Sequence, residues 1–197
     1  MLLDTPVCDF GWTAPDFTLK NAYGEPFTLG DYLGGKELGG KELGGKELGD
    51  KGLVIVFICN HCPYVQRIGQ RLVEDARLLM AEGINVLAIM SNDYQQVEAD
   101  SPANMKQFAK DYGFTFPYLV DEDQAVGKQY GAICTPDFFG FNRQGELQYR
   151  GRLDDAGMGN AANRVPELIN AMRQIAATGQ GPQTQLPSIG CSIKWRA

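Results

Sequence analysis

A chain of 197 residues with 44% apolar and 10% aromatic side chains can build one domain with a substantial core, and is too short for a second full one. Its formal charge of −6, without a basic cluster, argues against nucleic acid or an anionic membrane surface as a partner. The start, Met1-Leu2-Leu3-Asp4-Thr5-Pro6, has neither the basic region nor the long apolar region of a signal peptide. No later apolar run is long enough to span a bilayer, so the cytoplasm is the expected location. Five cysteines, an odd number, speak against a structural disulfide framework, and a close cysteine pair then reads as redox or metal chemistry.

Residues 1–12 have no clear period, although Cys8, Phe10 and Trp12 fit an edge segment. Residues 14–19 alternate, turn at Asn21-Ala22-Tyr23-Gly24 and resume at residues 26–29, which predicts a β-hairpin ahead of the core. Residues 33–52 repeat a five-residue unit, Leu-Gly-Gly-Lys-Glu three times and then Leu-Gly-Asp-Lys-Gly. A period of five matches neither helix nor strand, and so much glycine makes packing entropically costly. The stretch reads as a flexible, solvated loop lengthened by tandem expansion.

Leu53-Val54-Ile55-Val56-Phe57-Ile58 reads as a strand buried on both faces of a parallel sheet. Val65, Ile68, Leu72, Ala76, Leu79 and Met80 then recur at helical spacing until Gly83. Between them stands Cys59-Asn60-His61-Cys62-Pro63-Tyr64, so both cysteines sit where a strand ends and a helix begins. Unpaired amide donors and the positive end of the helix dipole help a thiol there to lose its proton. Two residues between the cysteines let one thiolate attack a substrate while the other resolves the mixed disulfide, which is thiol–disulfide exchange. His61, the single histidine, is either a solvated residue at the helix start or a group whose positive form stabilises the Cys59 anion. With no other histidine, serine and cysteine hydrolase triads have no base elsewhere in the chain. A zinc site needs about four ligands. Cys59, Cys62 and His61, with Cys134 or Cys191, are the candidates, and without a second well-spaced pair no metal is expected.

Residues 84–90 give a second buried strand ending at Ser91-Asn92-Asp93. Ser101-Pro102 opens a helix whose Met105, Phe108, Ala109 and Tyr112 form an apolar stripe before Gly113. Residues 116–120 read as extended, and Asp121 can cap a brief helix carrying Ala125, Val126 and Tyr130 up to Gly131. Cys134-Thr135-Pro136-Asp137-Phe138-Phe139 leads into a hairpin turning at Asn142-Arg143-Gln144-Gly145. A last helix, starting near Asn163, turns Val165, Leu168, Ile169, Met172, Ile175 and Ala176 to the core up to Gly179. Residues 180–197 read as an irregular tail. Strands separated by helices, then a closing hairpin and helix, make an α/β sandwich around a mixed sheet.

From about Trp12 to Trp195 the chain resembles the thioredoxin-fold superfamily, and within it the peroxiredoxin-like group of redoxins, alkyl hydroperoxide reductases and thiol-specific antioxidants. Ala14-Pro15-Asp16-Phe17 is similar to that group's opening motif. Cys59-Asn60-His61-Cys62-Pro63-Tyr64-Val65, Ser91-Asn92-Asp93, Cys134-Thr135-Pro136-Asp137-Phe138-Phe139 and Pro187-Ser188-Ile189-Gly190-Cys191-Ser192-Ile193-Lys194-Trp195 together resemble its peroxiredoxin-like subgroup. The resemblance implies one thioredoxin-like domain over residues 1–197, a central mixed sheet flanked by helices with an N-terminal β-hairpin, in which most of the pentad repeat is an insertion. It implies that Cys59 attacks, that Cys62 resolves, and that Thr135-Pro136 is a loop whose cis-proline faces the disulfide and pairs with substrate backbone. Cys134 then lies near the site as a packing or a functional thiol, and Cys191 is a distal resolving thiol or an inert anchor. Asp93 and Asp137 are turn or loop residues that accept a proton if close to Cys62.

Two departures shape the expected activity. Thioredoxins carry a buried acid six residues before the first cysteine, where this chain has Leu53. Typical peroxiredoxins carry a hydroxyl three residues before the peroxide-attacking cysteine, where this chain has Cys59, and a proline where it has Ile55. The expected protein is a thiol–disulfide oxidoreductase that needs no cofactor and acts on protein or small-molecule disulfides and thiols. One alternative is a peroxidase in which peroxide oxidises Cys62 and Cys59 resolves it. Another is a non-catalytic module holding a metal or a partner with Cys59, His61 and Cys62. The oligomeric state stays open.

Overall fold

A computed structural model describes residues 1–32 and 50–196, so the loop expected at the pentad repeat lies, for residues 33–49, outside the described residues. Among the described residues the chain runs β1 (Leu2–Asp4), β2 (Thr18–Asn21), β3 (Pro26–Thr28), α1 (Leu29–Tyr32), β4 (Gly52–Phe57), α2 (Pro63–Ala81) and β5 (Ile84–Met90). A 3₁₀ turn at Glu98–Asp100 follows, then α3 (Pro102–Tyr112), β6 (Tyr118–Val120), α4 (Ala125–Tyr130), β7 (Cys134–Thr135), β8 (Asp137–Phe141), β9 (Leu147–Tyr149), α5 (Glu167–Thr178) and β10 (Ile189–Ser192). A mixed sheet has the order β3-β2-β6-β5-β4-β8-β9. Within it β4 is parallel to β5 and antiparallel to β8.

The apolar run of β4 is unbroken because both of its faces are dry. Val54 and Val56, with Ile58 just beyond the strand, enter one core layer with Leu72 and Ala76 of α2, Met105 of α3 and Met172 of α5. Leu53, Ile55 and Phe57 enter the opposite layer with Leu29 of α1, Val126 and Tyr130 of α4 and Phe139 of β8. The strand that carries the cysteine loop is therefore clamped from both sides.

The expected hairpin forms between β2 and β3, with Thr18 opposite Thr28. The N-cap position of α4 falls on Gln124, and Asp121, three residues earlier, satisfies the first-turn amides: its carboxylate accepts from the Val126 N–H at 3.2 Å and the Gly127 N–H at 2.7 Å. The last helix begins at Glu167 rather than near Asn163, and Val165 stays 49% exposed. Pro166 is the reason, because proline disfavours helical backbone in the residue before it.

The tail is the larger correction. Residues 189–192 are a strand, since β10 pairs antiparallel with β1 on one side and with β7 on the other. Ser188 Oγ donates to the Pro136 carbonyl at 2.8 Å, and the Thr5 N–H donates to the Ser188 carbonyl at 2.9 Å. Further on, the Lys194 N–H donates to Asn92 Oδ1 at 2.8 Å. The tail is thus laced across the loop that follows α4, and it completes the site.

Candidate redox site

β4 ends at Phe57 and α2 begins at Pro63, so Cys59 and Cys62 occupy the crossing between them. Proline suits the first helical position, and here it makes Cys62 the N-cap of α2. Across the crossing, the Thr135–Pro136 peptide bond is cis. Cys59 Sγ lies 3.2 Å from Thr135 Oγ1, and the Cys62 thiol donates to the Thr135 carbonyl at 3.1 Å. Both sulfurs are buried and all five cysteines are free thiols, so the structure holds the dithiol form.

The helix start lies at Cys62, its N-cap, whereas the resemblance implied Cys59 as the attacking thiol. Cys62 is held well below the ordinary thiol range, first by a hydrogen bond from Cys59 and then, against the cost of burial, by the N–H groups of Val65 and Cys191. Cys59 is pushed up by donating that bond, by burial and by the Asp100 carboxylate. The physical reason lies in the chain's geometry, because the helix begins one residue after Cys62 and leaves Cys59 three residues short of the exposed amides. Of the pair, Cys62 is therefore the thiol that ionises more readily, giving up the bond it donates to the Thr135 carbonyl when it does.

The cysteine loop itself is pinned by Asp100, a residue that the sequence reading did not single out. Its Oδ1 accepts from the Asn60 N–H at 2.7 Å and the His61 N–H at 3.2 Å. Its Oδ2 pairs with His61 Nδ1 at 2.7 Å and accepts from Asn92 Nδ2 at 2.8 Å. Asn60 is held further by the Tyr118 hydroxyl, which donates to Asn60 Oδ1 at 2.9 Å. His61, 30% exposed, is thus anchored by a buried carboxylate. Ligand atoms of Cys59, His61 and Asp100 lie within 4.8 Å of one another, a spacing a metal ion could bridge. Because both Asp100 oxygens already serve protein donors, an ion there would have to displace bonds that hold the loop.

Of the other thiols, Cys134 is buried beside the cis-proline loop, its Sγ 3.7 Å from the Pro136 carbonyl, and burial pushes its pKa up. Cys191 is half-buried and stands opposite Thr135 in the β10–β7 pairing, which brings it to Cys62. Cys8 lies apart from the pair, and burial raises its pKa to about 11. Asp137 does not serve Cys62: Arg150 Nη2 donates to it at 3.0 Å and stacks over Phe139, bracing the strand that follows Pro136. Asp93 is taken up by Arg196 and Gln96, as a turn residue would be.

The AhpC/TSA family profile matches residues 10–150, which include both loop cysteines and the cis-proline. The chain belongs to the AhpC/TSA family. This AhpC/TSA protein is 25% identical over 138 residues to the thiol-disulfide oxidoreductase ResA of Geobacillus thermodenitrificans, a match covering 70% of this chain and 66% of that relative. The chain thus spans about two thirds of the curated relative's length. It is 39% identical to an uncharacterized conserved protein from Geobacillus kaustophilus of known structure, with a TM-score of 0.85, covering 100% of this chain and 97% of that one. A hypothetical protein from Sinorhizobium meliloti 1021 is similar at 36% identity and a TM-score of 0.85, covering 98% of each chain. The α/β fold with its mixed sheet flanked by helices is thioredoxin-like, as the resemblance implied.

Proposed function

We propose that this protein is a thiol–disulfide oxidoreductase cycling Cys59 and Cys62 between dithiol and disulfide, with protein or small-molecule disulfides and thiols as substrates. The observation that carries the reading is the placement of both sulfurs against Thr135, beside a cis-proline and at a helix N-cap. The name of the ResA relative points the same way. Cysteine usage supports a reducing compartment, the cytoplasm.

In this reading Cys62, the more readily ionised thiol, is the nucleophile and Cys59 the resolving thiol, the reverse of the order the resemblance implied. Its thiolate attacks one sulfur of a substrate disulfide, a mixed disulfide forms, and the other substrate sulfur leaves as a thiolate. Cys59 then gives up its proton and attacks Cys62 Sγ, closing the Cys59–Cys62 bond and releasing the second substrate thiol. The Thr135 hydroxyl, 3.2 Å from Cys59 Sγ, is placed to take up that proton. Two protein thiols are oxidised and one substrate disulfide is reduced, with no cofactor.

A second reading, peroxide reduction, is favoured by one observation: Cys62 is the N-cap of α2, where its thiol is held below the ordinary range, with Cys59 as its neighbour. Peroxide would convert Cys62 to a sulfenic acid, and Cys59 would condense with it to release water.

A disulfide-reduction assay driven by a small dithiol tests the first reading. Cys59→Ser and Cys62→Ser are each expected to lower turnover on the order of a hundredfold or more. Because the folded pKa of Cys62 is depressed, its thiolate is present below the ordinary thiol value of about 8.5 and is lost only as pH falls through the lowered pKa. Formation of the mixed disulfide on Cys62, read in Cys59→Ser, should therefore hold on moving from alkaline to mildly acidic buffer. A Cys62→Ser variant with wild-type turnover would overturn the reading. With hydrogen peroxide as substrate, turnover that survives Cys59→Ser in added thiol but not Cys62→Ser would establish the second.

A further inference from the structure

Neither sulfur of the active pair has surface of its own, since Cys59 and Cys62 are both fully buried. A third thiol touches the pair and does keep some exposure. Cys191 is the register partner of Thr135 across the β10–β7 pairing, and residues so paired project to the same face, their Cβ atoms about 5 Å apart. Thr135 turns its hydroxyl to Cys59 and its carbonyl to Cys62, so Cys191 is delivered to the same place. The two residues also act on each other: the Cys191 backbone helps to hold the Cys62 thiol down, while burial first and then Cys62 push the Cys191 thiol up. Cys62 is thus the sulfur shared by two neighbours, Cys59 from its own loop and Cys191 from the far end of the chain.

The placement is built rather than incidental. Gly190 lets β10 lie against the cis-proline loop, because a Cβ there would meet the Thr135 carbonyl oxygen at 2.0 Å. Ser188 holds the strand upstream through Pro136, and Lys194 holds it downstream through Asn92. The half-exposed thiol is fixed against the buried one from both sides.

Resting on the oxidoreductase reading, we propose that Cys191 is a third redox thiol, which exchanges with the Cys59–Cys62 disulfide to form Cys62–Cys191 and presents oxidising equivalents at the surface to a dithiol partner. The Cys191 sulfur attacks Cys62 Sγ, the Cys62–Cys191 bond forms and the Cys59–Cys62 bond breaks. The proton released by Cys191 ends on Cys59, so the step consumes no oxidant or reductant. A partner dithiol then attacks Cys191, the Cys62 thiolate leaves, and the second partner thiol closes the partner's own disulfide and frees Cys191. Two electrons pass from partner to protein.

The test equilibrates the full chain and its Cys59→Ser and Cys59→Ser/Cys191→Ser variants in glutathione buffers, traps free thiols by alkylation and maps linked peptides by mass spectrometry. In Cys59→Ser, Cys62 and Cys191 should lose alkylation together and appear as one intramolecular cross-link, which the double variant lacks. Cys62 carrying glutathione in Cys59→Ser, with Cys191 alkylated at every poise, would overturn the proposal. Should Cys59→Ser not fold, the oxidised wild type decides: a Cys62–Cys191 cross-link at about a tenth of the Cys59–Cys62 product or more is expected, and none would overturn it. A wild type that forms no Cys59–Cys62 disulfide would instead sink the underlying oxidoreductase reading, so the two failures are distinguishable.

Discussion

Replacing Asp100 with alanine is expected to cost the reduced protein about 3 kcal/mol of stability and to loosen the cysteine loop. The carboxylate is buried and serves two backbone N–H groups, the His61 ring and the Asn92 amide. Each buried donor left without a partner costs about 1–3 kcal/mol, and His61, being partly exposed, recovers some of its loss from water. The same substitution removes the negative charge that helps to hold Cys59 protonated, so the Cys59 pKa should fall as stability falls. Asp100→Asn keeps an acceptor oxygen but sets an amide donor against donors, and an intermediate loss is expected. Urea denaturation of the reduced protein, paired with thiolate absorbance titration, reads both effects. A loss below about 1 kcal/mol with an unmoved titration would show that Asp100 does not organise the loop.

The second large effect is expected at Gly190, where alanine should cost about 2–4 kcal/mol. The added methyl would lie 2.0 Å from the Thr135 carbonyl oxygen, 2.5 Å from its carbon and 3.0 Å from the Pro136 nitrogen. These are backbone atoms, and no side-chain rotation relieves the clash. Either β10 lifts from the cis-proline loop or that loop shifts away from the sulfurs, so disulfide exchange should fall together with the melting temperature. Ile189→Ala is the matched control: that side chain is 48% exposed, and a change within about 0.5 kcal/mol is expected. Equal small effects from both substitutions would mean that the tail is not tied to the site.

What the sequence reveals of this protein follows the range of the interactions. The apolar run of β4, the helical period of α2 and the cysteines between them are local patterns, and each is legible because one short stretch contains the whole signal. The role of Asp121 at the start of α4 is legible for the same reason, its partners being five and six residues away. Asp100 is not, since its bonds reach back 40 residues to Asn60, and a polar stretch before a helix looks like any solvated turn. β10 is hidden as well: its partners are Leu2, Leu3 and Asp4 at the other end of the sequence and a two-residue strand beside a proline, and Gly190 interrupts any alternation. The spacing of the cysteines also could not say which one the helix favours. That depended on the helix beginning at Pro63, which places the exposed amides at Cys62.

The most direct test of the central claim is the reduction potential of the Cys59/Cys62 pair, measured by equilibrating the protein across glutathione poises and trapping the thiols for mass spectrometry. The structure predicts a single two-electron transition in which Cys59 and Cys62 lose their free thiols together as one intramolecular disulfide. Absence of that disulfide at every poise, in a protein that remains folded, would contradict it.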